Sequence, residues 1–540
     1  MGLAVFIPAI KKNVAFADDL VKKLAGITLV QRAIDKAKEI VPDQDIYVIT
    51  DSEEICLICK RNNIHYCYEK DLKLSPPRII ENLSFILSRF AEEYLEMVLL
   101  SPYAPMLRGK DVQNALQKIR SNNSQLLIPV KKEISKAFRK NKRGIREILI
   151  GNPGQELLIE SQAFKIISSS LVKKNCAIKS VEPISYELEH DLLEIRSSQD
   201  WWVCEKLLRR KRIVFRVVAS EKIGMGHIYR ALTLAHEITD HEIYFVCDEE
   251  SRKAVTRLAG NDYWLGVYKE NEIVDRILGL KPDLVINDIL NTKRTYISRL
   301  RAKNVRVINF EDLGTGACYS DATINELYDE IPEVEGKNIL WGQKYFFLRE
   351  EFNEARPHRF KKKVDTLLIT FGASDPSDFT RKTLGNILEY CESKKIKIFL
   401  VTGGGYPYIK ELEKEIKNIP ESRVQYIHTT GVMSHIMEQS QIAIAANGRT
   451  PYELGHMNIP SIILSHHERE KKHSFATKDR GFLPIGLYNG VKTDKKILAS
   501  LKKLVEDHRF RKNCFDRIKP FKFQKNKNRV LRLVFELLNN

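Results

Sequence analysis

The sequence predicts an α/β protein: a Rossmann-like domain over residues 1–208, then two doubly wound lobes over 209–355 and 356–540. Three observations predict it. A chain of 540 residues is too long for one ordinary core and requires two or three domains. Short apolar runs alternate with helical apolar spacing over residues 1–205, again from 211 and again from 366, and such alternation builds βαβ units with mostly parallel sheets. Residues 213–238 read as strand, glycine loop, helix, the order that brings backbone N–H groups to an anion.

Taken in order, residues 3–8, 45–50, 97–101 and 125–130 read as the first domain's strands, with helices over 29–40 and 110–119. Residues 200–212 read as a last amphipathic helix running into a basic connector. The second pattern places strands at 213–219, 242–247, 284–287 and 305–309, and the third at 366–371, 397–402, 442–446 and 461–464. Two doubly wound lobes in succession form the architecture called GT-B in glycosyltransferases, with the ligand in the cleft between them.

Composition narrows the function classes. Apolar residues make up 43% and charged residues 29%, the balance of a globular protein. No apolar run is long enough to cross a bilayer, and residues 1–8 lack a basic segment before their apolar stretch, so they read as a first strand, no transmembrane segment is expected, and the expected location is cytoplasmic. The 9 cysteines are scattered and odd in number, which is no disulfide framework. Cys56 and Cys59 form a CxxC on a helix with no second pair at zinc spacing, and read as buried thiols. The formal charge of +18 suits an anionic partner, but it is spread along the chain and no nucleic-acid module signature accompanies it. That partner could be membrane lipid or a phosphorylated small molecule, peripheral membrane association through the basic runs is not favoured, and no nucleic-acid partner is expected.

Within the first domain, Ile7-Pro-Ala9, Leu24-Ala-Gly26, residues 49–53 (Ile-Thr-Asp-Ser-Glu) and residues 99–105 (Leu-Leu-Ser-Pro-Tyr-Ala-Pro) resemble the cytidylyltransferases that activate sialic-acid-like sugars. The resemblance implies a nucleotidyltransferase fold. It departs where the chemistry would lie: Ile10 stands for the family's arginine, the loop has no glycine, and Asp18 and Asp19 fall near its later lysine. Carboxylates in place of cations repel a polyphosphate. Residues 195–197 read Ile-Arg-Ser before Asp200, with an arginine where a magnesium-binding carboxylate is usual. The fold is expected to persist with degenerate motifs; retained cytidylyltransferase activity, making a bifunctional enzyme, is the alternative.

The C-terminal half carries five motifs in series: residues 223–230 (Ile-Gly-Met-Gly-His-Ile-Tyr-Arg), 340–352, 370–376 (Thr-Phe-Gly-Ala-Ser-Asp-Pro), 446–453 (Ala-Asn-Gly-Arg-Thr-Pro-Tyr-Glu) and 467–470 (His-Glu-Arg-Glu). Together they resemble the UDP-sugar hydrolase of pseudaminic acid biosynthesis and its spore-coat polysaccharide relatives. The resemblance implies release of UDP and a free acetamido deoxy sugar, in nonulosonic acid or surface polysaccharide synthesis. It implies that His227 is catalytic, as a base that activates or positions water. Gly224 and Gly226 would let the loop approach the reacting centre, and Arg230 would offset phosphate charge or else form a helix-surface salt bridge. Gly372, Ser374 and Asp375 read as a tight turn or as a close approach to the nucleotide. Asn447, Gly448 and Thr450 would hold the diphosphate, and Glu453 would accept from the ribose hydroxyls. His467 and Glu468, with His466, Arg469, Glu470 and His473, form a polar loop at the cleft whose spacing is not HExxH. No metal or cofactor is expected. The expected partners are the UDP-activated amino sugar and other enzymes of its pathway. The alternatives are a glycosyltransferase with a glycan or lipid acceptor, and a non-catalytic nucleotide-sugar binding protein.

Overall fold

The computed structural model describes residues 2–11, 18–74, 78–133, 138–141, 144–147, 157–173, 181–188, 192–220, 224–332 and 334–539. It divides into two compact units, Met1–Arg210 and Lys211–Asn540.

The first unit is built on an eight-stranded sheet in the order Leu157–Glu160, Leu126–Glu133, Phe164–Ser168, Tyr94–Leu100, Gly2–Ala9, Ile46–Thr50, His65–Tyr68, with Ile184–Glu187 paired to Leu126–Glu133. Gly2–Ala9 lies parallel to both neighbours, as the alternating pattern requires. The sheet is mixed beyond that, because Phe164–Ser168 inserts antiparallel between Tyr94–Leu100 and Leu126–Glu133. Helix Leu29–Lys38 starts where Thr28 accepts from Gln31 N, and buries Val30, Ala33, Ile34 and Ala37 at helical spacing against the sheet. Cys56 and Cys59 are free and buried on helix Glu53–Arg61; burial pushes the Cys59 thiol up to about 12.

The second unit holds two fully parallel sheets. The first lobe orders its strands Trp264–Val267, Glu242–Cys247, Arg212–Val217, Leu284–Asp288, Arg306–Phe310, Ala322–Asn325, Ile339–Trp341. The second orders Val424–His428, Lys397–Thr402, Thr366–Thr370, Ile442–Ala446, Ser461–Ser465, Leu483–Leu487. In each lobe the chain winds outward from its first strand, returns, and continues on the other side with the fourth. That reversal opens a crevice at the carboxyl ends of the first and fourth strands. The loops after those strands therefore form the site: the described residues 218–220 and 224–226 with 289–293 in the first lobe, 371–378 and 447–450 in the second. The strands are mostly apolar because helices cover both faces, with buried polar residues such as Asn287, Asp288, Asn309 and Asn325 towards the carboxyl ends. The last helix, Asn526–Asn539, buries Val530, Leu531, Val534 and Leu538 in the first lobe's core, so the end of the chain closes on the beginning of the unit. The pair of parallel sheets is the GT-B arrangement.

Candidate active site

The first wall of the cleft is the glycine loop. Gly224 adopts φ +92°, a region that only glycine enters freely, and donates its N–H to Ser220 O at 2.8 Å. Ile223 of the motif lies outside the described residues. Gly226 begins helix Gly226–Ala235, and a Cβ there would press to 3.3 Å on the Arg449 side chain. His227 follows, buried on the helix's first turn, with Nδ1 2.6 Å from Asp288 Oδ1 at the end of the fourth strand.

Arg230 does not lie on a helix surface. It is 1% exposed, and its guanidinium donates to Asp288, Glu311 and Glu326, which sit at or just past the ends of three successive strands. Three carboxylates hold its guanidinium, so a buried network stands in place of the helix-surface salt bridge, and Arg230 still lines the cleft. Burial alone would raise the Asp288 carboxyl, but Arg230 and His227 outweigh it and hold it below the usual range. Glu311 is held low in the same way, against burial, by Arg230, His227, His473 and Arg449. Burial opposes the charge of Arg230, and Asp288, Glu326 and Glu311 drive it well above its ordinary value. An ionised Asp288 can only accept, so Nδ1 of His227 is the nitrogen that donates to it, and the tautomer this contact selects leaves the lone pair on Nε2. Donor atoms of His227, Asp288 and Glu311 lie within 4.8 Å of one another, a grouping that could hold a metal ion, but Arg230 already supplies a cation to both carboxylates.

The second wall divides the remaining candidates. A cleft of about 830 Å³ is lined by Gly224, Gly226, His227, Arg230 and Glu311 from the first lobe. From the second come Gly372, Ser374, Gly448, Thr450, Glu453, His467, Glu470 and His473. Gly372 takes φ +86°, the turn that its position predicts. Asp375 is no part of the lining: buried, it accepts from Phe379 N at 2.9 Å and Thr380 N at 2.8 Å and caps the helix Phe379–Ser393. Asn447 is likewise turned inward, donating to Glu470 O at 2.7 Å, while Gly448 and Thr450 line the cleft. Helix Thr450–His456 has no side-chain cap at its start. Glu453 reaches the cleft with Oε1 held by Arg349 at 3.1 Å. Glu468 points to solvent beside Lys471; Glu470 lines the cleft instead, its Oε2 accepting from His466 N at 2.7 Å. His467 lines the cleft and accepts from Glu470 N, starting the short helix Glu468–Lys471.

In the first unit, Lys11 at the corresponding strand end pairs with carboxylates of the same chain. Lys11 Nζ lies 3.0 Å from Asp18 and 3.1 Å from Glu54, and its N–H donates to Asp51 at 2.6 Å. Tyr103 donates to Asp19 at 3.2 Å. Residues 12–17 of the loop lie outside the described residues. Arg196 pairs with Glu194 at 2.7 Å, and Asp200 accepts from Arg196 N and Ser197 Oγ, both at 2.9 Å. A guanidinium and an engaged cap carboxylate do not make a magnesium site.

No family model matches the chain. It is 27% identical over 271 residues to an uncharacterized protein of Methanocaldococcus jannaschii, covering 47% of this chain and 55% of that one, so it spans about half of that relative's length. It is 26% identical over 302 residues to the spore coat polysaccharide biosynthesis protein SpsG of Bacillus subtilis, covering 53% and 87%. It is 24% identical over 244 residues to the UDP-2,4-diacetamido-2,4,6-trideoxy-beta-L-altropyranose hydrolase of Campylobacter jejuni, covering 44% and 85%. The chain is a distant homologue of these proteins. Both named relatives lie in the group that the five motifs resemble.

Against that homology, the residues that the sequence did not single out are acidic, Asp288, Glu311 and Glu326, while Arg349, Arg449 and Glu470 lie inside the motifs without a role assigned to them. The first three had a signal. Each stands at or one place beyond the carboxyl end of an apolar strand, where ligands gather in parallel sheets. Glu311 also holds φ +50°, a strained conformation of the kind that collects at functional sites.

Proposed function

We propose that the second unit hydrolyses a UDP-activated acetamido deoxy sugar, releasing UDP and the free sugar for nonulosonic acid or surface polysaccharide synthesis. The observation that carries this reading is the His227–Asp288 pair, 2.6 Å apart, facing a nucleotide-type wall across the cleft. Nε2 of His227 takes a proton from water as its oxygen bonds to the anomeric carbon. The bond from that carbon to the diphosphate oxygen breaks, and its electron pair leaves with UDP. Asp288 fixes the productive tautomer and stabilises the imidazolium that forms. Gly372, Ser374, Gly448 and Thr450 take the diphosphate, and Glu453, oriented by Arg349, takes the ribose hydroxyls. In the first unit the fold persists without nucleotidyl transfer, a reading supported by the self-paired Lys11 and the engaged Asp200.

The test is turnover of UDP-sugars in ¹⁸O-labelled water with no other acceptor. Label in the sugar and none in UDP is the expected result. A strict requirement for a glycan or lipid acceptor would overturn hydrolysis in favour of transfer.

A further inference from the structure

The sequence places Arg449 in the middle of the loop 447–450, where a guanidinium has every reason to bind phosphate. Its geometry is different. The side chain passes over Gly226 into the first lobe, where it donates to Glu326 Oε1 at 2.7 Å and to Phe347 O at 2.8 Å, with the guanidinium 4.3 Å above the Phe346 ring. The same Glu326 oxygen accepts from Arg230, which also holds Asp288, the partner of His227. Glu326 is fully buried and its backbone is gripped by the second lobe, since Tyr452 donates to Glu326 O at 3.0 Å and Ser474 N to Leu327 O at 3.0 Å. One carboxylate oxygen thus joins a cation from each lobe.

We propose that Arg449 is a positioning residue that pins the diphosphate loop of the second lobe to the His227 loop of the first through Glu326 and Arg230, and that it is not itself a phosphate ligand. The inference rests on the hydrolase reading for its catalytic consequence, but the pin is a property of the free protein. Its effect is to fix the separation between the leaving diphosphate and the general base. Misplacement of a reacting group by about 1 Å costs on the order of 100-fold in rate.

The experiment uses the full chain and Arg449→Met, with Glu326→Gln and the double variant beside it. UDP affinity is measured by calorimetry, kcat and KM with a UDP-sugar, and amide exchange in the absence of ligand. The pin predicts that Arg449→Met holds UDP within about threefold of wild type while kcat falls about tenfold or more. It predicts faster exchange at residues 226–232 together with 448–454, and a double variant no worse than either single one. A loss of about tenfold or more in UDP affinity, with exchange at 226–232 unchanged, would make Arg449 a phosphate ligand and overturn the proposal. Should the wild type neither bind UDP nor turn over any UDP-sugar, the hydrolase reading fails, and the exchange data still decide the pin. If Glu326→Gln does not fold, the affinity and exchange results for Arg449→Met suffice.

Discussion

At the scale of single residues, the site turns on one hydrogen bond. Asp288→Asn would keep the shape of the partner but replace an obligate acceptor with a group that can donate to Nδ1, leaving the proton on the wrong nitrogen. A fall in kcat of about 10²–10⁴-fold with little change in KM is expected, measured by steady-state release of UDP. The carboxylates around Arg230 also set an acid limit. Asp288 and Glu311 are held below their unfolded values, so the stability they contribute is full above the ordinary carboxylate range and is lost as pH falls through that range towards their lower folded values. Denaturant midpoints should therefore be level near neutrality and fall steadily below about pH 4.5, and a Glu311→Gln variant should show a shallower fall. His227, Gly224 and Gly372 were legible because a histidine or glycine in a strand-to-helix turn carries its reason locally. Asp288, Glu311 and Glu326 were not recognised, since they meet Arg230 from 58, 81 and 96 residues away. Asp375 and Glu468 fell in the right loops, but their carboxylates go to a helix cap and to solvent.

At the scale of elements, the alternating pattern placed most strands of the parallel sheets, because strands covered on both faces are apolar and need no register with a partner to be seen. The strand Phe164–Ser168 escaped, since its antiparallel insertion depends on two strands well upstream, Tyr94–Leu100 and Leu126–Glu133, not on its own short run. The edge strand Trp264–Val267 escaped because it is only four residues long and carries Gly266 in its interior, which weakens a strand signal. The final helix shows an element whose role is tertiary. Its apolar stripe of Val530, Val534 and Leu538 docks into the first lobe although it follows the second in sequence. Lys527 at its start pairs with Glu350 at 2.7 Å and also with Glu237. Val534→Asp would bury an unpaired charge in that core. A loss of about 3 kcal/mol or more in the second unit's unfolding free energy is expected, read from a denaturant transition, with the first unit's transition unmoved.

At the scale of the whole molecule, one chain carries two nucleotide-type architectures whose sites differ in how their charges are spent. In the second unit, charge is arranged around an open cleft and leaves His227 Nε2 and the loops 372–374 and 448–450 facing it. In the first, Lys11, Asp200 and Arg196 are paired with other groups of the same chain. The account therefore expects no pyrophosphate from CTP with any nonulosonic acid, and pyrophosphate release abolished by a Lys11 substitution would refute that part of it. Hydrolysis by His227 is decided by NMR of the products. Native protein and His227→Ala are each mixed with a panel of UDP-diacetamido-trideoxyhexoses and no added acceptor. Free sugar and UDP are expected from the native protein and none from the variant; equal turnover by both, or none by the native protein with UDP still tightly bound, would rule out hydrolysis by His227.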